Sequence, residues 1–252
     1  MTLIDTLALT LLVVVVATMP VFAVVSRNRP RDPDVARRSS TALLGFWVRD
    51  WLMWVIGPIE RVMVRAKVSP DVFNYLGVAF GIGAGAAFAQ GALSLAGWAI
   101  LFGGVADVFD GRIARARGMA SRYGAFMDST LDRFAEAFSF VGVTWYLSTT
   151  PWGAAISVLA ISGSLLVSYT RARGEAVGVS GTGGVMQRAE RLVLLALGAL
   201  ADSAVATRWG WPDGTVLTAA VTVIAIGSIG TAIYRTVSIA RTLAQQGDKP
   251  RP

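Results

Sequence analysis

The chain has 252 residues, 54% of them hydrophobic and only 15% charged, with a mean hydropathy of +0.57. That composition excludes a disordered chain, a coiled coil and a disulfide scaffold, and its long uncharged runs predict a polytopic membrane protein. With no cysteine and no histidine, thiolate or imidazole metal sites, Ser-His-Asp catalysis and imidazole bases are excluded together, so chemistry must rest on carboxylates, basic residues, hydroxyls or a bound metal.

In chain order, residues 6–26 form one uncharged run that predicts a membrane anchor. Asp5 stands where a signal peptide would carry basic residues. An arginine-rich linker over 27–40 follows, and its Pro30 and Pro33 oppose regular helix. Residues 46–68 mix Trp47, Trp51, Trp54 and Ile56 with Arg49, Asp50, Glu60, Arg61, Arg65 and Lys67, which predicts an amphipathic helix lying in the membrane interface, bent at Gly57-Pro58. Ser69-Pro70 reads as an N-cap followed by a first-turn proline.

Between Asp71 and Asp107 there is no charge, so two spans are expected there, turning near residues 90–94. The uncharged stretch between Glu136 and Arg171 predicts two more, turning near 148–153. A further span covers about 192–201 and is short unless residues 188–191 form its first turn; a last one covers 214–234. Gly77, Gly81 and Gly85 form a stripe of small residues suited to close helix packing, within the chain or across a homodimer.

The net charge is +7, and of the 23 basic residues all but Lys67 and Lys249 are arginine. Two readings stand: compositional bias with loop charges on the cytoplasmic side, or arginines that grip phosphate with their planar guanidinium forks. Residues 27–38, 112–122, 171–191 and the tail 235–251 are arginine-rich, whereas the turns near 90 and 150 are uncharged and 202–213 holds only Asp202, Arg208 and Asp213. This alternation predicts seven spans in a multi-pass cell-membrane protein, the N-terminus outside and the C-terminus cytoplasmic. No basic, aromatic-bearing soluble module is present to bind nucleic acid.

Four carboxylates interrupt these hydrophobic helices near the expected cytoplasmic interface. Asp107 and Asp110 are three apart and Asp128 and Asp132 four apart, so each pair shares a helical face. A short loop joins the two helices, which are expected to be antiparallel neighbours with converging acids. Each ionised carboxylate costs about 2.5–3.5 kcal/mol on insertion scales, and four together repel. All-oxygen ligands suit Mg²⁺ or Mn²⁺, and four acids leave room for two ions. The alternatives are structural pairing with Arg112, Arg115, Arg122 or Arg133, and a proton relay in a transporter. Gly111 would let a ligand approach the backbone beside Asp110, although close helix packing explains it as well.

The run Asp107-x2-Asp110-Gly111-x2-Ala114-Arg115-x8-Gly124-x3-Asp128-x3-Asp132 resembles the signature of the CDP-alcohol phosphotransferase family at every fixed position. The resemblance spans about residues 68–241. It implies an all-α membrane fold with a six-helix core, to which this chain adds an N-terminal transmembrane helix and the interfacial helix. The expected division is 1–40 anchor and linker, 41–68 interfacial helix, 69–241 membrane domain and 242–252 polar cytoplasmic tail.

The resemblance further implies metal-dependent transfer of a phosphatidyl group from CDP-diacylglycerol to an alcohol, with release of CMP. By position, Asp107, Asp110 and Asp128 would ligate metal, and Asp132 would touch a second ion and act as general base. Gly111, Arg115 and Ser121 would contact the CDP moiety, and Ser69-Pro70-Asp71-Val72 resembles the segment that closes over the cytidine, with Ser69 where threonine is usual.

Residues 168–176 and 184–191 bring several arginines towards one cleft, which suits a dianionic acceptor; positive loop charge is the plainer explanation. This stretch is similar to the phosphatidylinositol phosphate synthase subfamily, in which the positions of Ser168, Arg171, Arg191 and Arg235 would line an acceptor phosphate site for inositol 1-phosphate. Arg171 stands where lysine is frequent. Arg173 and Arg188 are expected to pair with Glu175 and Glu190. Glycerol 3-phosphate is the alternative acceptor, and relatives of this kind imply a homodimer.

Overall fold

The structure is a computed structural model that describes residues 2–28, 30–36, 44–181 and 183–247. Among them the regular structure is helical: α1 (Leu3–Val25), a 3-10 turn (Ser26–Asn28), α2 (Pro33–Ala36), α3 (Phe46–Arg65), α4 (Pro70–Ala89), α5 (Leu93–Ala116), α6 (Arg122–Leu147), α7 (Pro151–Ala176), α8 (Arg188–Trp209) and α9 (Thr215–Gln246). Six of these, α1, α4, α5, α7, α8 and α9, are long and apolar enough to cross a membrane. The expected seventh span, α6, has 26 residues but carries Asp128, Asp132, Arg133 and Glu136; it packs against α4 and α7. The protein is therefore a multi-pass membrane protein.

The expected turns fall at 90–92 and 148–150. Two expectations shift. Pro33 does not stop helix but opens the one-turn α2, because a first-turn proline sacrifices no hydrogen bond. Residues 37–40 of the linker and 41–43 at the start of the interfacial segment lie outside the described residues, as do 248–252 of the tail. Helix α8 begins at Arg188, so residues 188–191 do form the first turn that its length requires. The last span does not end at 234: α9 continues to Gln246, placing Arg235 inside a helix. Helix α3 is one continuous element with Gly57-Pro58 inside it.

The core of the bundle joins Phe88 of α4, Ile100 of α5, Phe140 and Val143 of α6, Leu195 of α8 and Leu217, Val221 and Ile224 of α9. Helices α5 and α6 are antiparallel but touch only sparsely; α4 packs extensively against both. Glycine explains how. A Cβ on Gly142 of α6 would collide with the Gly85 carbonyl oxygen of α4, and one on Gly85 would strike the Phe138 carbonyl oxygen. A Cβ on Gly81 would likewise fall 2.6 Å from the Ala135 Cα. Two of the three stripe glycines thus serve contact within the chain, where backbones approach more closely than any side chain permits.

The N-terminal helix is tied down at both ends. Ser94 Oγ donates to Asp5 Oδ1 (2.6 Å) and Trp98 Nε1 to the Ala8 carbonyl (3.1 Å), both from the start of α5. At the other end Trp51 Nε1 of α3 donates to Thr18 Oγ1 (2.8 Å), and Phe22 lies between Trp47 and Trp54 at 5.6 and 5.7 Å. Helix α3 in turn buries Ile56 with Phe73, Phe109 and Ile113, against the half of α5 that carries the aspartates. The chain's first residues therefore lie at the end of the bundle opposite those acids.

Candidate active site

Because α4 holds α5 and α6 apart, the two acidic faces meet across a narrow gap. Carboxylate oxygens of Asp107, Asp110 and Asp128 all lie within 4.8 Å of one another. Asp110 is 6% exposed, and the Gly111 N–H donates to its Oδ1. Asp128 Oδ1 is buried and has no hydrogen-bond partner. A buried anionic oxygen without a partner is costly, and this one faces two further carboxylates. The residues thus fit a hard divalent cation of the Mg²⁺ or Mn²⁺ kind, which binds oxygen and offsets the mutual repulsion.

Asp132 lies one turn beyond Asp128 and stands outside this trio. Its Oδ1 forms an ion pair with Arg188 Nη2 at 2.6 Å, and its Oδ2 is 3.8 Å from Arg133 Nη1. The other arm of Arg188, Nη1, reaches Asp107 Oδ1 at 2.8 Å. One guanidinium from the first turn of α8 therefore spans both acidic helices. A small cleft beside it is lined by Asp107, Asp110 and Asp132 together with Phe73, Asn74 and Gly77 of α4.

Of the expected donor contacts, Gly111 and Arg115 adjoin the acids, since a Cβ on Gly111 would come within 3.2 Å of Arg115 Nη1. Ser121 caps α6, its Oγ accepting from the Gly124 N–H at 3.0 Å, so its own O–H stays available as a donor. Ser69 precedes α4 and donates to Asp71 at 3.4 Å; Pro70 is buried, while Asp71 and Val72 face outward from the first turn.

The expected acceptor residues divide. Arg171 is exposed and paired with Glu175 at 2.9 Å, and half-buried Ser168 donates to the Ser164 carbonyl. Arg191 and Arg235 are buried. Arg235 donates to the Gly183 and Val167 carbonyls at 2.7 and 2.8 Å, which ties the 177–187 loop to α7 and α9. Arg191 grips Glu136 and donates to the Met186 carbonyl. Arg191 and Arg235 thus both bond carbonyls of the loop that precedes α8, at Met186 and Gly183.

Two expected pairings are corrected. Arg188 pairs with Asp107 and Asp132, not Glu190, and Glu175 pairs with Arg171, not Arg173. The acids do have arginine partners: the close one, Arg188, comes from α8, and Arg133 of their own helix α6 stands farther from Asp132, at 3.8 Å. Sequence reasoning also passed over Glu136, and over Asp32 and Asp34. Arg112 Nη1 reaches Asp32 and Asp34, and its Nε donates to Glu60 at 2.7 Å. Burial pushes the Asp32 carboxyl up, but the hydrogen bonds from Arg112 and from the Asp34 N–H outweigh it and hold Asp32 below its usual range. The pairing is separated by some 80 residues and leaves no local pattern in the sequence.

The CDP-alcohol phosphatidyltransferase family profile matches residues 67–231. The phosphatidylinositol phosphate synthase of Streptomyces avermitilis is 35% identical over 229 residues, covering 88% of this chain and 91% of that protein. A crystal structure of the Mycobacterium tuberculosis phosphatidylinositol phosphate synthase with CDP-DAG bound matches with a TM-score of 0.63 at 30% identity, over 72% of this chain and 92% of that one. Another, in complex with manganese and citrate, matches with a TM-score of 0.64 at 30% identity, over 73% and 88%. Sequence, fold and acidic cluster agree, and the chain belongs to the CDP-alcohol phosphatidyltransferase family.

Proposed function

We propose that this enzyme transfers the phosphatidyl group of CDP-diacylglycerol to the hydroxyl of inositol 1-phosphate, giving phosphatidylinositol phosphate and CMP. The observation that carries the reading is the convergence of Asp107, Asp110 and Asp128, with Asp132 one turn away. Relatives named for this reaction, and one solved with CDP-DAG, support the donor and the acceptor.

Asp107, Asp110 and Asp128 would hold the divalent metal, with Asp132 beside a second ion. When bound, such metal neutralises the donor's diphosphate and the charge that builds up on departing CMP. Asp132 takes the proton of the acceptor hydroxyl as that oxygen bonds to the β-phosphorus and the bond to CMP breaks. Arg188 fixes the Oδ1 of Asp132, leaving Oδ2 for the proton. Gly111 admits the diphosphate to the backbone, Arg115 and Ser121 donate to it, and residues 69–72 cover the nucleotide. Arg171, with Ser168, Arg191 and Arg235 around it, receives the acceptor's phosphate.

The same reading assigns the acidic end of the bundle to the cytoplasm and the N-terminus to the outside, because the arginine-rich segments gather at the acidic end. It keeps the membrane domain at 69–241, with 1–40 as anchor and linker, 41–68 as interfacial helix and 242–252 as tail.

The test is CMP release by purified protein supplied with CDP-diacylglycerol and Mg²⁺ or Mn²⁺, offering inositol 1-phosphate, glycerol 3-phosphate, serine and free inositol separately. Release with inositol 1-phosphate alone, lost on adding chelator, is expected. Release with glycerol 3-phosphate alone would discard inositol 1-phosphate and the acceptor role of Arg171. No release with any acceptor would reopen the transporter reading.

A further inference from the structure

We infer that Asp34, on the connector between the N-terminal helix and the interfacial helix, is a positioning residue that holds Arg115 against Gly111, ready for the donor's diphosphate. The inference rests on the proposed reading of Arg115 as a donor contact.

Arg115 Nη2 donates to Asp34 Oδ2 at 3.1 Å, while Nη1 lies against the Gly111 backbone, one residue from the acidic cluster. The same Asp34 oxygen accepts from Arg112 Nη1 at 3.3 Å. The connector is itself fixed. Asp32 accepts from Arg112 with both oxygens at 3.1 Å and from the Asp34 N–H at 2.9 Å, and the Asp32 N–H donates to Asp50 of α3 at 3.1 Å. Three carboxylates, Asp32, Asp34 and Glu60, meet Arg112, which cannot balance them alone; Arg115 supplies the second positive charge.

A guanidinium has five N–H donors, and Asp34 engages one terminal nitrogen of Arg115. The remaining donors can meet a diphosphate. Without Asp34, a long side chain that is 41% exposed would sample many rotamers, and only some would face the donor. The N-terminal segment thereby gains a role: α1 and α3 anchor a two-carboxylate strap whose end orients a donor-site arginine.

The test is steady-state kinetics of the full chain in mixed micelles, with CDP-diacylglycerol and inositol 1-phosphate varied in turn. For Asp34→Asn, KM for the donor should rise about tenfold, the worth of one hydrogen bond to a charged group. Acceptor KM, turnover at saturation and the unfolding midpoint should hold. Asp34→Glu should restore most of the donor KM. Arg115→Ala should raise donor KM by itself, and adding Asp34→Asn to it should raise it no further.

An unchanged donor KM in Asp34→Asn, with Arg115→Ala impaired, would overturn the positioning role and leave the Arg115 reading intact. A lower donor KM would overturn it too, making Asp34 a competitor of the diphosphate. Parallel loss of both KM values, turnover and thermal stability, not rescued by Asp34→Glu, would reduce Asp34 to a structural residue. If Arg115→Ala leaves donor KM unchanged, the donor reading of Arg115 falls, and the inference with it.

Discussion

Arg191 and Glu136 form a two-pronged ion pair in the centre of the bundle, with Nε 2.8 Å from Oε1 and Nη2 3.3 Å from Oε2 and each side chain almost fully buried. Removing one member leaves a buried charge unpaired, which costs about 3–5 kcal/mol. Arg191→Ala should therefore lower the thermal unfolding midpoint markedly, with activity falling alongside it. Glu136→Gln should lower it as well.

Arg171 offers the contrast. Its side chain is 56% exposed and its pair with Glu175 is a helical surface pair, worth about 0.3–0.5 kcal/mol at most. Arg171→Ala should leave the unfolding midpoint nearly unchanged while raising KM for inositol 1-phosphate and sparing KM for CDP-diacylglycerol. Equal effects on both KM values would count against an acceptor role.

Arg188 holds Asp107 and Asp132 with separate nitrogens. Arg188→Ala should lower turnover about a hundredfold or more, because two close ion pairs that hold the base and a metal ligand are lost. Arg188→Lys keeps the charge but loses the planar fork and should rescue turnover only in part. Single-turnover CMP release at saturating substrates checks both.

Asp132→Asn removes the proposed proton acceptor and should lower turnover by about 10²–10⁴-fold, with the fold and Mn²⁺ binding to the Asp107, Asp110 and Asp128 trio kept. Asp128→Asn should instead weaken Mn²⁺ binding, measured by calorimetry or by the metal-induced rise in unfolding midpoint. Chelator should lower the midpoint of the unmodified chain and have less effect on the Asp128 variant, since a ligand that binds only the folded state stabilises it.

Gly142→Val would place a side chain on the Gly85 backbone. Helices α4 and α6 would have to separate, which also pulls Asp128 and Asp132 from Asp107 and Asp110. A large drop in unfolding midpoint, with loss of CMP release, is expected. Gly83, whose Cβ would meet nothing within 4 Å, should tolerate alanine.

Much of the fold was legible in the sequence because a membrane imposes local rules. Uncharged stretches between Asp71 and Asp107 and between Glu136 and Arg171 located four helices and their turns, since each span must be apolar along its own length. The acidic residues were legible for the complementary reason: carboxylates three and four apart on hydrophobic helices are too costly to be incidental. Where a boundary depended on polar residues the reading fell short, as at Tyr234, because α9 continues as a helix beyond its apolar stretch.

The amino-acid sequence by itself determined that this is a helical membrane protein with paired carboxylates on two helical faces, because hydropathy and helical spacing act between near neighbours in the chain; the CDP-alcohol assignment came from the resemblance of residues 107–132 to the family signature. Only the tertiary structure decided who balances those charges. Arg188, from a distant helix, bridges Asp107 and Asp132, Arg191 pairs with Glu136, and Asp34 meets Arg115 across 81 positions. Coulombic and hydrogen-bonded partners are chosen by proximity in space; the glycine stripe signalled close packing but not that α6 is the helix packed against it, and no local pattern encodes the anchoring of α1 and α3.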